Sequence, residues 1–184
     1  MPSILPFDEL NRLDVQIREQ YGDGKLKKSD EDDIIDMLLD LFLLAYAMGN
    51  SITNDNLSSD YTPSVDEVMK VVDAKVAGKT WRERVKEYSE NGGTGDDIAR
   101  IATTEAHRIA NQAAYETAKA DGATEKTWHC MMLPTSRDTH IYLDGVTAPI
   151  DGEFYSFKGG STMYPGQWGI AEEDVNCLCW LSFS

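Results

Sequence analysis

The chain has 184 residues, of which 41% are hydrophobic and 27% charged, and its formal net charge is −15 at pH 7. That length and apolar share suffice for one globular domain, or one domain with a helical extension, and exclude global disorder. The acidity argues against a chain that grips nucleic acid over its whole surface, because such binding scales with the phosphates neutralised by Lys and Arg.

The opening "MPSILPFDEL" lacks the basic stretch and apolar core of a secretory signal. Leu10, Leu13, Ile17 and Tyr21 recur at helical spacing and predict a helix from about Phe7 to Tyr21, which the glycines of "YGDGKLKK" stop. Ser29 then reads as the N-cap of a second helix, with acidic residues in its first turn where the helix dipole favours them and Gly49 as its close. Its apolar stretch, 34–49, is shorter than the roughly 20 residues of a bilayer span and is interrupted by Asp36 and Asp40. Ile34, Ile35, Leu38, Leu39, Leu41, Phe42, Leu44 and Ala45 cover more than one stripe, so neighbours or another chain must bury them.

"GNSITNDNLSSDYTPS" reads as a loop by composition. Pro63 and Ser64 introduce a helix over Val65 to Ala77, and a further short helix follows over Thr80 to Ser89. "GGTGDDIARIATTEAHRIANQAAYETAKADG" predicts a long helix ending at Gly122, with Ile98, Ile101, Ala102, Ile109 and Ala113 on one face. Beyond Gly122 the alanine periodicity stops. "KTWHCMML", "IYLDG", "EFYSFKGG" and "VNCLCWLSF" predict short strands joined by tight turns. The fold class is therefore α+β, with a helical region over 1–95, then a long helix and a small β-rich module over 96–184.

Few enzyme classes find support. "GGTGDD" lacks the Lys and Ser/Thr of a phosphate-binding loop. Cys130 or Ser136 with His140 lacks a third orienting group for nucleophilic catalysis. A ribonuclease would need a basic cleft, whereas from Gly122 on Lys126, Arg137 and Lys158 face eight acidic residues. Two readings of "NCLC" stay open. Cys177 and Cys179 are alternate residues, so they share one face of a final strand and pack as small apolar groups. Alternatively they join His140 as metal ligands, with Cys130, His129, Asp144 or water as the fourth. No cofactor is expected beyond that structural zinc. With three cysteines and no sign of an oxidising compartment, a reducing, cytoplasmic site of synthesis is expected.

A set of segments in fixed order narrows the reading: Arg100, Thr104 and Glu105; Trp128; Arg137, Asp138 and His140; Leu143, Asp144 and Gly145; Pro165 and Gly166; then Asn176, Cys177 and Cys179. This set, over about residues 96–181, resembles the C-terminal domain of the phage Mu F-like minor head (head morphogenesis) proteins. Leu178 stands where that family usually has a basic residue, and Arg137 stands where some relatives carry a cysteine. The resemblance implies a non-enzymatic protein of procapsid assembly, bound to the portal and other head proteins inside the virion head and made in the bacterial host cytoplasm. Its alternatives are a toxin-like effector carrying the same module, or a metal-stapled adaptor. No membrane partner is expected, and the helix over 34–48 suits oligomerisation or docking to partner helices. The residues suggest a structural clamp: Arg137 pairing with buried Glu105, His140 bonding the last strand, Asp144 and Gly145 forming a turn, Asn176 closing another, and Trp128 and Asp138 supporting them.

Overall fold

Two long helices set the architecture. In this computed structural model, residues 7–22 and 24–184 are described. The chain runs through α1 (Phe7–Tyr21), a 3-10 turn (Lys28–Asp30), α2 (Glu31–Leu57), α3 (Val65–Val72), α4 (Trp81–Asn91) and α5 (Gly95–Ala120). The side chains of Leu10 and Leu13, and the opening residues 1–6, lie outside the described residues. α5 is buried along most of its length, with α2 and α1 packed on it. Its alanines at 99, 102, 106, 110 and 113 leave no bulk on the stripes where partner helices approach. Ile34, Leu38, Phe42, Ala45 and Tyr46 of α2 pack into this core, and Trp81 of α4 closes it edge-on to Phe42 with ring centroids 5.0 Å apart.

Gly49 does not close α2, as the sequence reading expects. The helix runs eight residues further, to Leu57, and ends on Ser58 in the left-handed conformation. Gly49 instead marks the crossing with α5: a Cβ placed there would lie 2.2 Å from the Ala110 carbonyl oxygen. The polar residues that looked like a loop have partners in helical conformation. Asn50 donates to Thr117 Oγ1 at 2.9 Å, and Asn54 donates to the Tyr61 carbonyl at 2.8 Å. The extended rod, Lys28–Leu57, is 30 residues and is long and apolar enough to cross a bilayer by length and composition alone. The shorter span read from the sequence is corrected accordingly. One face of the rod nevertheless builds the protein core.

α3 stops at Val72 rather than Ala77. Its N-terminus is fixed by a reciprocal cap between Ser64 and Glu67. Past Val72 the chain turns back at Ala77 and Gly78, both at positive φ, and Val76 pairs with Lys79. Thr80 and Glu83 cap α4 in the same reciprocal way.

The C-terminal module comprises β1 (Glu125–His129), α6 (Asp138–Leu143), β2 (Thr147–Pro149), β3 (Phe154–Tyr155), β4 (Ser161–Thr162), α7 (Ala171–Asp174) and β5 (Trp180–Phe183). β1 is the central strand of an antiparallel sheet in the order β2-β1-β5, and β3 pairs with β4. The predicted strand at "IYLDG" is a correction. Its residues belong mostly to α6, whose first turn forms as the Arg137 carbonyl accepts the amides of His140 and Ile141. Thr139, His140 and Leu143 then face inward at helical spacing. β5 begins only at Trp180, so Cys177 and Cys179 lie on the segment leading into it rather than on the strand. A second core forms here from Trp128, Leu143, Phe154, Tyr164, Trp168, Leu181 and the three cysteines, with Tyr115 reaching in from α5.

Candidate metal centre

His140 is the hub of the C-terminal module. It is 2% exposed, and it sits between two tryptophans: Trp168 is stacked on it at 6.1 Å between centroids, and Trp128 is edge-on at 5.7 Å. Its Nδ1 lies 3.5 Å from Cys177 Sγ and 3.4 Å from Cys179 Sγ. These three ligand atoms all lie within 4.8 Å of one another, and all three residues are buried. Both thiols thus face the imidazole, although the segment that carries them is not the strand that their alternation suggested. All three cysteines are free.

The other ring nitrogen points to a carboxylate. His140 Nε2 is 3.0 Å from Glu173 Oε2, at an angle too bent for a good hydrogen bond, and that same oxygen accepts from Thr139 Oγ1 at 2.8 Å. With a cation between Nδ1 and the sulfurs, a carboxylate there would keep the proton on the facing nitrogen and leave the Nδ1 lone pair to the ion. The thiol pair is strongly polarised. The Cys179 thiol, and then His140, draw Cys177 down against the effect of burial, while the Cys177 sulfur and burial push Cys179 up. Glu173 was not singled out in the sequence. Three acidic residues stand together at 172–174, and the turn at α7 directs the carboxylates of Glu173 and Asp174 inward.

The cysteine segment is anchored along α5. Asn111 donates to the Cys179 carbonyl at 3.0 Å, and the Asn176 amide donates to Thr104 Oγ1 at 3.3 Å. Asn176 takes φ +57, the left-handed conformation that asparagine tolerates better than most residues, and it makes the turn from α7 into the cysteines. Asp174 supports the preceding loop by accepting from the amides of Trp168 at 2.8 Å and Gly169 at 2.7 Å.

The remaining sequence candidates are distributed as follows. Cys130 is buried beside the cluster but outside the group of mutually close ligand atoms, and its amide donates to Asp144 Oδ1 at 2.8 Å. Gly145 takes φ +77 and donates to the Trp128 carbonyl at 2.8 Å, which completes the expected turn. His129 faces away, 2.8 Å from Ser182 Oγ and stacked on Trp180. Asp138 is exposed in the first turn of α6.

The expected Arg137–Glu105 pair does not form. Arg137 instead donates to the Val175 carbonyl and so ties α6 to the turn before the cysteines. Glu105, fully buried, accepts from Arg84 and, at 2.6 Å, from Arg108 Nε, its neighbour one turn along the same helix. Arg108 also donates to the Val71 carbonyl at 3.1 Å, so this ion group joins α3, α4 and α5. The local partner three residues away was the available signal, and it outcompeted the distant arginine. Arg100 is paired with Asp97 at the surface.

Beside the sulfurs lies a small pocket of about 30 Å³, lined by His140, Cys177 and Cys179 together with Cys130, Ser136 and Arg137. It accommodates about one water molecule and is too small for an organic substrate. Chemically, the cluster can hold a thiophilic cation or a shared proton.

The family described as "Phage Mu protein F like protein" matches residues 66–182. A protein named "NAD(+)--arginine ADP-ribosyltransferase EFV", from Enterococcus faecalis, is 32% identical over 148 residues, covering 62% of this chain and 30% of the relative. "Minor head protein GP7" of Bacillus phage SPP1 is 34% identical over 87 residues, covering 45% of this chain and 28% of the relative. The chain thus spans about a third or less of the length of these relatives. No solved structure matches.

Proposed function

The chain belongs to the phage Mu protein F like family, and from that premise we propose that it is a structural protein of a phage or prophage head. In this reading it acts in procapsid assembly, sits inside the virion head, and contacts the portal and other head proteins after synthesis in the host cytoplasm. The observation that carries the reading is the family match over 66–182, supported by the similarity to a phage minor head protein. The C-terminal module fits it: its polar side chains tie segments together, and the pocket beside His140 holds little more than water. We assign the contact surface for neighbouring head proteins to residues 1–95, where Leu43 and Leu44 stay 37% and 43% exposed on α2, and the closed module to 96–184. The test is mass spectrometry of heads purified after induction of the phage. The chain should co-purify with heads and portal in a few copies; its absence from intact heads would contradict the reading.

A second reading has its own observation, the similarity to a protein named as an arginine ADP-ribosyltransferase. There the chain is a toxin-like effector carrying the same module. An assay of ADP-ribose transfer from NAD+ to arginine-bearing acceptors separates the two. The structural reading expects no transfer, and the effector reading expects transfer and expression toxicity that maps to residues 1–95.

A further inference from the structure

We propose that His140, Cys177 and Cys179 form a three-ligand site for a single zinc ion whose fourth position is an exchangeable water in the adjoining pocket. The inference is independent of the head-protein reading and stands or falls on the isolated protein.

Spacing is the first argument. Tetrahedral zinc with bonds of about 2.0 Å to nitrogen and about 2.3 Å to sulfur sets those atoms about 3.5 Å apart. The Nδ1–Sγ distances here are 3.5 and 3.4 Å, so an ion fits with little movement of either thiol. Two thiolates and a neutral imidazole offset the charge of a divalent ion, each thiol giving its proton to solvent as the metal enters. A buried site therefore gains no net charge of its own.

Support behind the ligands is the second argument. Zinc-bound histidines usually direct their other nitrogen at a carboxylate or carbonyl, which fixes tautomer and ring angle. Glu173, held by Thr139, stands 3.0 Å from that nitrogen, close enough to take up the bond when an ion fixes the ring, and the flanking tryptophans restrict ring rotation. Asn111 and Thr104 hold the backbone of the cysteine segment from the long helix. The same geometry resembles a cysteine–histidine–acid catalytic group, but both thiols crowd one nitrogen and the pocket admits no acyl substrate.

The fourth position is the third argument. Cys130 lines the pocket without joining the cluster, and His129 and Asp144 are engaged elsewhere. The roughly 30 Å³ beside the sulfurs exceeds the ~10–15 Å³ that one water needs, and Ser136 and Arg137 give it a polar rim.

The test uses the full chain, purified under reducing conditions, stripped with a chelator and titrated with Co2+ and then Zn2+. The expected result is one cobalt per chain with tetrahedral visible bands and thiolate charge-transfer absorption, displaced by one zinc. Added imidazole should shift the visible bands by replacing the water. Cys130→Ser should leave affinity within about threefold, whereas Glu173→Gln, which keeps every ligand, should weaken it about 10–100-fold. Cys177→Ser and Cys179→Ser should weaken it further and remove charge-transfer intensity. Absence of stoichiometric binding to the wild-type chain overturns the site. Loss of charge transfer in Cys130→Ser, or bands unmoved by imidazole, overturns the open fourth position. Should the cysteine variants fail to fold, the wild-type, Cys130→Ser and Glu173→Gln titrations still decide the matter.

Discussion

In the helical region, α2 lies along α5 with isoleucine, leucine and phenylalanine on one side and alanine on the other, and helices this long satisfy most of their own backbone groups. In the C-terminal module the longest strand has five residues, and much of the backbone must find side-chain partners instead. Asp174, Asp144, Arg137, Asn111 and Thr104 each bond backbone groups of segments that no helix or long strand could hold. The first region is governed by packing and so is sensitive to volume. The second is governed by a polar lattice around His140 and so is sensitive to the loss of single hydrogen-bonding groups.

The most severe break among the helices should come from the buried charge group of Glu105 and Arg108 on α5. Glu105→Gln leaves the Arg108 guanidinium without its carboxylate, and chemical denaturation should show a loss of about 3–5 kcal/mol. Gly49→Ala comes next. Its methyl group would meet the Ala110 carbonyl, so α2 and α5 must separate; a loss of about 2–3 kcal/mol and a lower thermal midpoint by circular dichroism are expected. An unchanged midpoint would mean that the crossing is not close-packed. In the module, Arg137→Ala removes the tie to Val175 and should cost about 1–2 kcal/mol, with local opening at 175–179 detected by proteolysis or hydrogen exchange.

An effect about as small as that of Arg137→Ala should have the opposite sign. Lys126 is fully buried, its ammonium 4.7 Å from the Tyr115 ring and 5.5 Å from Phe154, and burial brings its pKa down to about 8. Between about pH 8 and its ordinary value of 10.5, the unfolded chain holds a proton that the folded chain has released. Stability contributed by this residue therefore rises with pH across that window, and below it the cost of burying the charge remains in full. Lys126→Met should be more stable than wild type by about 1–2 kcal/mol at pH 7, and the difference should shrink toward pH 10. A pH-independent difference would show that the ammonium is solvated.

The sequence made the helices legible because their signals are local. Thr80 with Glu83, and Ser64 with Glu67, announce helix starts by themselves. The end of α2 was illegible because Gly49 has two physical uses, as a helix stop and as a close crossing, and only the presence of Ala110 decides between them. The thiols and His140 could be grouped from residue chemistry and the order of segments, and the structure brings all three together. Glu173 was hidden, since its role depends on a turn that aims two of three consecutive acidic residues inward, Asp174 at the amides of Trp168 and Gly169 and Glu173 at His140. The Arg137 partner was misread because a backbone carbonyl leaves no trace in residue identity.

Native-state hydrogen exchange on the intact chain, wild type against His140→Ala, tests the contrast between the two regions most directly. The account predicts that amides of β1, β5 and 176–179 lose protection in the variant while those in the middle of α2 and α5 keep theirs. Equal loss of protection throughout would contradict it, by showing one cooperative core in which the histidine has no local role.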